Sequence, residues 1–241
     1  MVAYQNPDPK APDSGGPVDA AIIDDLVAAN RILVAEDVLD AYGHVSMRHP
    51  GDPNRYLMSR SLAPVLVTDG DIIEYDLDST PIGAKGRQSV LERFIHGEIY
   101  KARADVNAVI HLHNDEMIAF MAAGYDKIRS FSLTYGYLMQ KPAHYLPASV
   151  NVEEDVGPIK SFIQDTNCII MKRHGFTVLG RTVSEAYHRT CVLVSEINRN
   201  IIVELLCAAN GKTPETVTDE EMAYMATHGD QVMYPKLIKK S

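Results

Sequence analysis

Cysteine is scarce in this 241-residue chain: Cys168, Cys191 and Cys207 are the only three, each in an apolar context and none in CxxC spacing. That pattern suggests neither a disulfide framework nor a thiolate metal site, and reads as buried thiols. Positive charge is also short. Lys and Arg number 23 against 32 Asp and Glu, for a formal net charge of −9, and the basic run that stands out is the short terminal LIKKS. A nucleic acid or anionic membrane bound through bulk electrostatics is thereby disfavoured. An anionic small substrate is not, because a few local cations or a metal ion can outweigh the global balance inside a cleft. No uninterrupted apolar stretch approaches the roughly 20 residues of a membrane span. The opening MVAYQNPDPKAPDSGGP has no basic region followed by an apolar block. The expectation is a soluble, cytoplasmic protein.

What is present is apolar content, 46% of residues, enough for one domain with a substantial core. Residues 1–17 are rich in Pro, Gly, Asp and Ser without apolar periodicity and read as a flexible arm, leaving 18–241 as a single domain. From Val18 to Tyr42 apolar residues recur at helical spacing, with Gly43 placed as a C-cap glycine. HVSMRHP and RYLMSR read as short strands around a GDPN turn, followed by a third apolar stretch, IIEYDL. Ser89 to Arg103 returns to helical spacing and Ala108 to His113 is a β-like run. After a less readable middle, CIIMK and FTVLG are strands around an HG break. Thr182-Val-Ser-Glu185 fits a capping box opening the longest helix, which runs towards Leu206. The tail DEEMAYMATHGDQVMYPKLIKK reads as one more helix with a loose end.

The run AVIHLHNDE carries the first chemical signal. In a strand, residues two apart share a face, so His111 and His113 point the same way while Leu112 turns into the opposite layer. Two imidazoles can then converge on one ion, although a hydrogen-bonded polar face uses the same pattern. Glu92, one helix earlier, could fold back beside the strand end. Ser89-Val-Leu-Glu92 is also a capping-box pattern, in which the carboxylate would only satisfy a backbone N–H. His174 stands at the MKRHGFTVLG break, where Gly175 permits an unusual backbone angle, and could be a turn histidine or a third imidazole. Three imidazoles and a carboxylate would make a donor set suited to Zn²⁺, Mn²⁺ or Fe²⁺ with positions left for substrate.

With GHVS at 43–46, the Glu92–His111–His113 spacing, ADVNAVIHLH and RHGFTVLG in this order, the chain resembles the class II aldolase/adducin family over nearly all its length after residue 18. The resemblance implies a three-layer α/β/α fold around a central, mostly antiparallel sheet. It also implies a homotetramer with active sites between subunits, and one divalent metal ion per subunit held by Glu92, His111, His113 and His174.

The departures bear on the substrate. Sugar-phosphate members hold the phosphate with a threonine-glycine loop, an asparagine in G-N-V-S and two serines just before the glutamate. Here those places read Ser59-Arg60-Ser61, His44 and Val90-Leu91. A guanidinium and an imidazole suit a carboxylate, which Arg holds through two parallel hydrogen bonds. SRSLAP and LERFIHGEIYKAR look like the branch that decarboxylates hydroxy-aromatic dicarboxylates, such as dihydroxyphthalates or 3-hydroxy-2-methylpyridine-4,5-dicarboxylate, in aromatic catabolism. The expected roles are metal ligand and proton carrier for Glu92, and carboxylate binding by Arg60 with Ser59, Ser61 and His44. His96, Tyr135, Tyr137 and His144 are candidate proton donors. Two rival readings are a class II aldolase cleaving a non-phosphorylated hydroxy-keto acid and a non-catalytic, adducin-like assembly module.

Overall fold

The computed structural model of the chain describes residues 14–139, 141, 143–146, 156–157 and 159–228. Most of the expected arm lies outside them. Its last residues do not, and Ser14 Oγ and Gly15 N donate to the two Glu74 carboxylate oxygens at 2.7 and 2.6 Å.

The strands are β1 (His44–Arg48), β2 (Arg55–Ser59), β3 (Ile72–Asp76), β4 (Pro81–Ile82), β5 (Ala108–Leu112), β6 (His144–Leu146), β7 (Cys168–Met171) and β8 (Gly175–Gly180). The helices are α1 (Ala20–Ala35), α2 (Arg93–Ala102), α3 (Asp115–Ala122), α4 (Leu133–Met139), α5 (Ile159–Phe162), α6 (Val183–Asn210) and α7 (Asp219–His228). The strands form one sheet in the order β4-β3-β2-β1-β5-β8-β7-β6. Every neighbouring pair is antiparallel except β6 with β7.

Strand residues alternate between two apolar layers, as the two-residue repeat of a strand requires. Val45, Leu57, Ile110, Leu112 and Val178 pack with Ile23, Leu26 and Leu33 of α1 and Leu193 and Ile197 of α6. Tyr56, Met58, Val109, Ile169 and Leu179 pack on the other side, with Ile95, Ile99 and Tyr100 of α2 and Ile159 of α5. Burying each such side chain contributes about 1.5–3 kcal/mol. Helices therefore cover both faces of a mostly antiparallel sheet, the three-layer arrangement expected.

Two local expectations change. The first helix ends at Ala35, seven residues short of Tyr42: Asp37 takes φ 57°, and the N–H groups of Val38 and Leu39 both return to the Leu33 carbonyl. The chain turns back there because Val38 and Leu39 are needed in the core. Gly43 is consequently not a helix cap. A Cβ on it would stand 2.4 Å from Leu39 Cδ1 and 3.0 Å from the His111 carbonyl oxygen, so its role is close packing against β5. At the β7–β8 connection the left-handed residue is Arg173, with φ 58°, rather than Gly175. Gly175 is needed for a different reason: a Cβ there would lie 2.2 Å from the Leu112 carbonyl oxygen.

Thr182 caps α6 as expected, accepting from Glu185 N at 3.0 Å, and the helix continues to Asn210. The Glu185 carboxylate does not close the box on Thr182; it accepts from Arg181 N at 2.6 Å. The part of the expected tail helix beyond His228 lies outside the described residues.

Gly175→Ala is expected to cost about 1–3 kcal/mol, since β8 must move away from β5 to admit the methyl group. Urea unfolding read by circular dichroism checks this.

Candidate metal centre

His111 lies on β5, paired on both sides: His44 of β1 is its neighbour on one edge and Thr177 of β8 on the other. The alternation works as the sequence implies, with Leu112 in the α1/α6 layer and His111 facing the α2 side. Thr177 Oγ1 bonds His111 Nδ1 at 2.8 Å, which leaves Nε2 turned to the cluster. β5 ends at Leu112, so His113 is one residue beyond it, held through Nδ1 by the Asp40 carboxylate at 3.1 Å. His174 occupies the last place of the three-residue connection between Met171 and Gly175. Glu92 stands at the N-cap position of α2 but makes no side-chain cap bond, so the capping-box reading does not hold. Its carboxylate turns to the imidazoles instead.

Four ligand atoms, one each from Glu92, His111, His113 and His174, lie within 4.8 Å of one another. His113 Nε2 is 3.3 Å from His111 Nε2 and 3.1 Å from His174 Nε2. Glu92 Oε1 is 2.7 Å from His174 Nε2, and Glu92 Oε2 is 3.6 Å from His111 Nε2. Ligands about 2.1 Å from a shared ion in a tetrahedral array stand about 3.4 Å apart, so this spacing fits a divalent cation. Three ring nitrogens facing one point at such distances repel unless a proton or a cation lies between them. Asp40 behind His113 and Thr177 behind His111 fix the two rings as outer partners fix imidazoles in metal sites.

The electrostatics agree. Burial pushes the Glu92 carboxyl upward, but the imidazoles of His113, His174, His44 and His111 outweigh it and hold the group far below the usual carboxylate range. Burial, together with the neighbouring His44, drives His111 well below its ordinary value, so it is a neutral donor. For His113, burial acts downward while the Asp40 and Glu92 carboxylates overcome it and raise it to about 9.

Of the expected substrate residues, His44 joins the cluster directly: its Nε2 lies 3.2 Å from Glu92 Oε2, and its ring stacks on His111 at 5.1 Å between centroids. Arg60 follows β2. Carrying the Ser46↔Met58 register two residues further places it opposite His44 and on the same face. Asp71 Oδ1 accepts from Arg60 Nε at 2.7 Å, and the two terminal amino groups have no partner among the described residues. Ser59 does not share that face. It pairs with Ile72 and alternates with Met58, which puts its side chain in the α1/α6 layer. Ser61 is fixed through its backbone to the Gln88 carbonyl at 2.8 Å.

Among the other candidates, His96 bonds His44 at 2.7 Å and is one link from Glu92. Tyr135 packs in the α1/α6 layer. Tyr137 is buried. His144, three strands from β5, bonds the Phe162 carbonyl at 2.7 Å. Asp40 and Thr177 were missed; the pairings that reveal them span 73 and 66 residues. An apolar cavity of about 680 Å³ lined by Ile22, Ala29, Ile32, Met47 and Tyr187 includes none of the four cluster residues.

Residues 24–197 match the class II aldolase and adducin N-terminal domain. The chain belongs to this family. The decarboxylase tropJ of Talaromyces stipitatus is 28% identical over 208 residues, covering 78% of each chain. An L-fuculose phosphate aldolase of Methanococcus maripaludis is 32% identical over 173 residues, 70% of this chain and 89% of that one. The solved L-fuculose 1-phosphate aldolase from Glaciozyma antarctica superposes with a TM-score of 0.71 at 22% identity, over 88% of this chain and 85% of the other. This last likeness speaks for the class II aldolase fold.

Loading the metal-free protein is expected to give about one Zn²⁺ or Mn²⁺ per chain by elemental analysis, lost in His111→Ala and His113→Ala. Asp40→Asn should weaken the affinity about 10–100-fold. In the metal-free protein, the raised His113 value contributes stability below its ordinary 6.5 that is lost as pH rises through about 9. Loading at pH 7.5 must therefore displace that proton. Calorimetry in buffers of different ionisation enthalpy should show the release.

Proposed function

We propose that the chain is a divalent-metal-dependent carboxy-lyase. Its substrate on this reading is a hydroxy-aromatic or hydroxypyridine carboxylate or dicarboxylate, of the dihydroxyphthalate or 3-hydroxy-2-methylpyridine-4,5-dicarboxylate kind. What supports this reading is the cluster of three histidines and Glu92 together with the Arg60 guanidinium, which follows β2 and keeps its two terminal amino groups without a partner among the described residues. The similarity to a protein named as a decarboxylase over 78% of the chain supports it.

Loss of CO2 from an aromatic ring leaves an electron pair in the ring plane, where the π system cannot accept it. The ring carbon bearing the carboxylate must first take a proton. The C–C bond then breaks, its electron pair restores the aromatic ring, and CO2 leaves while the new C–H bond remains. A bound divalent ion, whether Mn²⁺, Zn²⁺ or Fe²⁺, would act as a Lewis acid drawing charge from a ring oxygen next to that carbon.

The chain's own residues supply the rest. Arg60, its Nε fixed on Asp71, presents the remaining edge of its fork to a substrate carboxylate. His44 Nε2 holds one oxygen of Glu92, and the other lies 2.7 Å from His174 Nε2, so that these two atoms would face the same ion. Glu92, ionised and mostly shielded with 15% of its side chain exposed, is placed to take the proton of the substrate's ring hydroxyl and return it at the ring carbon. His111, His113 and His174 would hold the ion. On the same reading the enzyme is a homotetramer with sites at subunit interfaces, which light scattering on the purified protein tests.

The aldolase rival uses the same cluster and draws on the similarity to the Methanococcus protein. Incubation with hydroxylated phthalates, pyridine dicarboxylates and non-phosphorylated hydroxy-keto acids, with each metal supplied, separates the two readings by mass spectrometry. Loss of CO2 is expected, and release of pyruvate or a similar fragment would overturn the proposal. An assembly module would show neither. Glu92→Gln should lower kcat about 10²–10⁴-fold. Arg60→Ala should raise KM about 10–100-fold, the size of a lost charge-assisted pair.

A further inference from the structure

Beneath the cluster, Tyr100, Ser46, His96, His44 and Glu92 form one continuous hydrogen-bonded chain. Tyr100 OH lies 2.8 Å from Ser46 Oγ, and Ser46 Oγ lies 2.6 Å from His96 Nδ1. His96 Nε2 is 2.7 Å from His44 Nδ1, and His44 Nε2 is 3.2 Å from Glu92 Oε2. Ser46 and His96 are fully buried, and His44 and Tyr100 are 1% and 2% exposed.

The direction of every link follows from its two ends. An ionised carboxylate only accepts, so His44 Nε2 carries the hydrogen facing Glu92. A neutral His44 then accepts at Nδ1, which makes His96 Nε2 a donor and His96 Nδ1 an acceptor. Ser46 must give its one hydrogen to His96, and Tyr100 must give its own to Ser46. A second proton on His44 would reverse the chain up to Ser46. In either form Nε2 carries the hydrogen that faces Glu92; only in the neutral one does the chain run unbroken from Tyr100 to the carboxylate.

The far end of the chain is closed. Tyr100 lies under the Arg48 guanidinium, 4.8 Å from the ring centroid, and Arg48 is tied to the carbonyls of Val106, Pro53, Tyr100 and Arg103. With no outlet to solvent at Tyr100, the chain is not a conduit for protons.

We infer that His96, Ser46 and Tyr100 are positioning residues that lock His44 as an Nε2–H donor aimed at the metal centre, where an anionic substrate oxygen can share that hydrogen with Glu92. The 3.2 Å link to Glu92 is longer than the 2.7–2.9 Å usual for a charge-assisted bond and leaves room for such sharing. The catalytic consequence rests on the decarboxylase reading above; the polarity of the chain does not.

Ring-nitrogen NMR of the full-length, ¹⁵N-histidine-labelled protein reads the polarity directly, metal-free and with Zn²⁺, with signals assigned through His44→Asn and His96→Gln. Both rings are expected to show a protonated Nε2 and a bare Nδ1. A bare Nε2 or a doubly protonated ring on His44 in the Zn²⁺ form would overturn the inference, whether or not any substrate is turned over. Kinetics supply a second arm. His96→Gln keeps a donor towards His44 and an acceptor for Ser46, and should hold kcat within about threefold, whereas His96→Leu removes both and should lower kcat about tenfold or more. Zn²⁺ affinity should change by less than about threefold in either variant. If Gln rescues no better than Leu, or if Leu lowers Zn²⁺ affinity as much as kcat, the role is merely structural and the inference fails.

Discussion

A carboxylate taken out of water must be answered by hydrogen bonds or opposite charge. Glu92 is answered by imidazoles on every side. His174 and His44 each take one of its oxygens, and His111 and His113 stand within 4 Å. Much of the surrounding architecture serves that meeting. β1 delivers His44, β5 delivers His111, the next residue adds His113, and the β7–β8 connection adds His174. Antiparallel register then draws His44, His111 and Thr177 into one row across β1, β5 and β8, so neighbouring backbones about 4.8 Å apart set the spacing of the side chains.

Much of this was legible because it is periodic. The HxH run of β5 and the alternation of β1, β2 and β8 follow from the two-residue repeat, and Thr182 announces α6 by a local cap. What could not be read depends on contacts distant in sequence. The end of α1 is set by Val38 and Leu39 entering the core, not by Gly43. Glu92 satisfies a capping pattern on paper, yet partners 48 and 82 residues away claim its carboxylate. Ser59 looks equivalent to Ser61 and Arg60 until the pairing of β2 with β3 turns it to the other face. β6 and α4 are too short to show a period, and the Asp40 support of His113 has no local signature.

The acidic balance of the whole chain gives no hint of its centre. A net charge of −9 coexists with four imidazoles gathered around one carboxylate, so the local field is set by which side chains the sheet gathers and not by the total. Relatives named as an aldolase and as a decarboxylase share this fold family, as expected where function resides in the site and not in the scaffold. In this chain the two residues proposed to choose between such reactions stand on different supports, His44 at the start of β1 against Glu92 and Arg60 after the end of β2 on Asp71.

Glu92 and His174 touch although they stand 82 positions apart, and the contact needs β8 already joined to β5. No fragment or half-assembled chain can present the four donors together. An ion that recognises this cluster therefore recognises the native state alone, and mass action adds RT ln(1 + [M]/Kd) to the folding free energy, about 2.7 kcal/mol at a hundredfold excess of free ion over Kd. Supply of such an ion would thus set the protein's lifetime against unfolding.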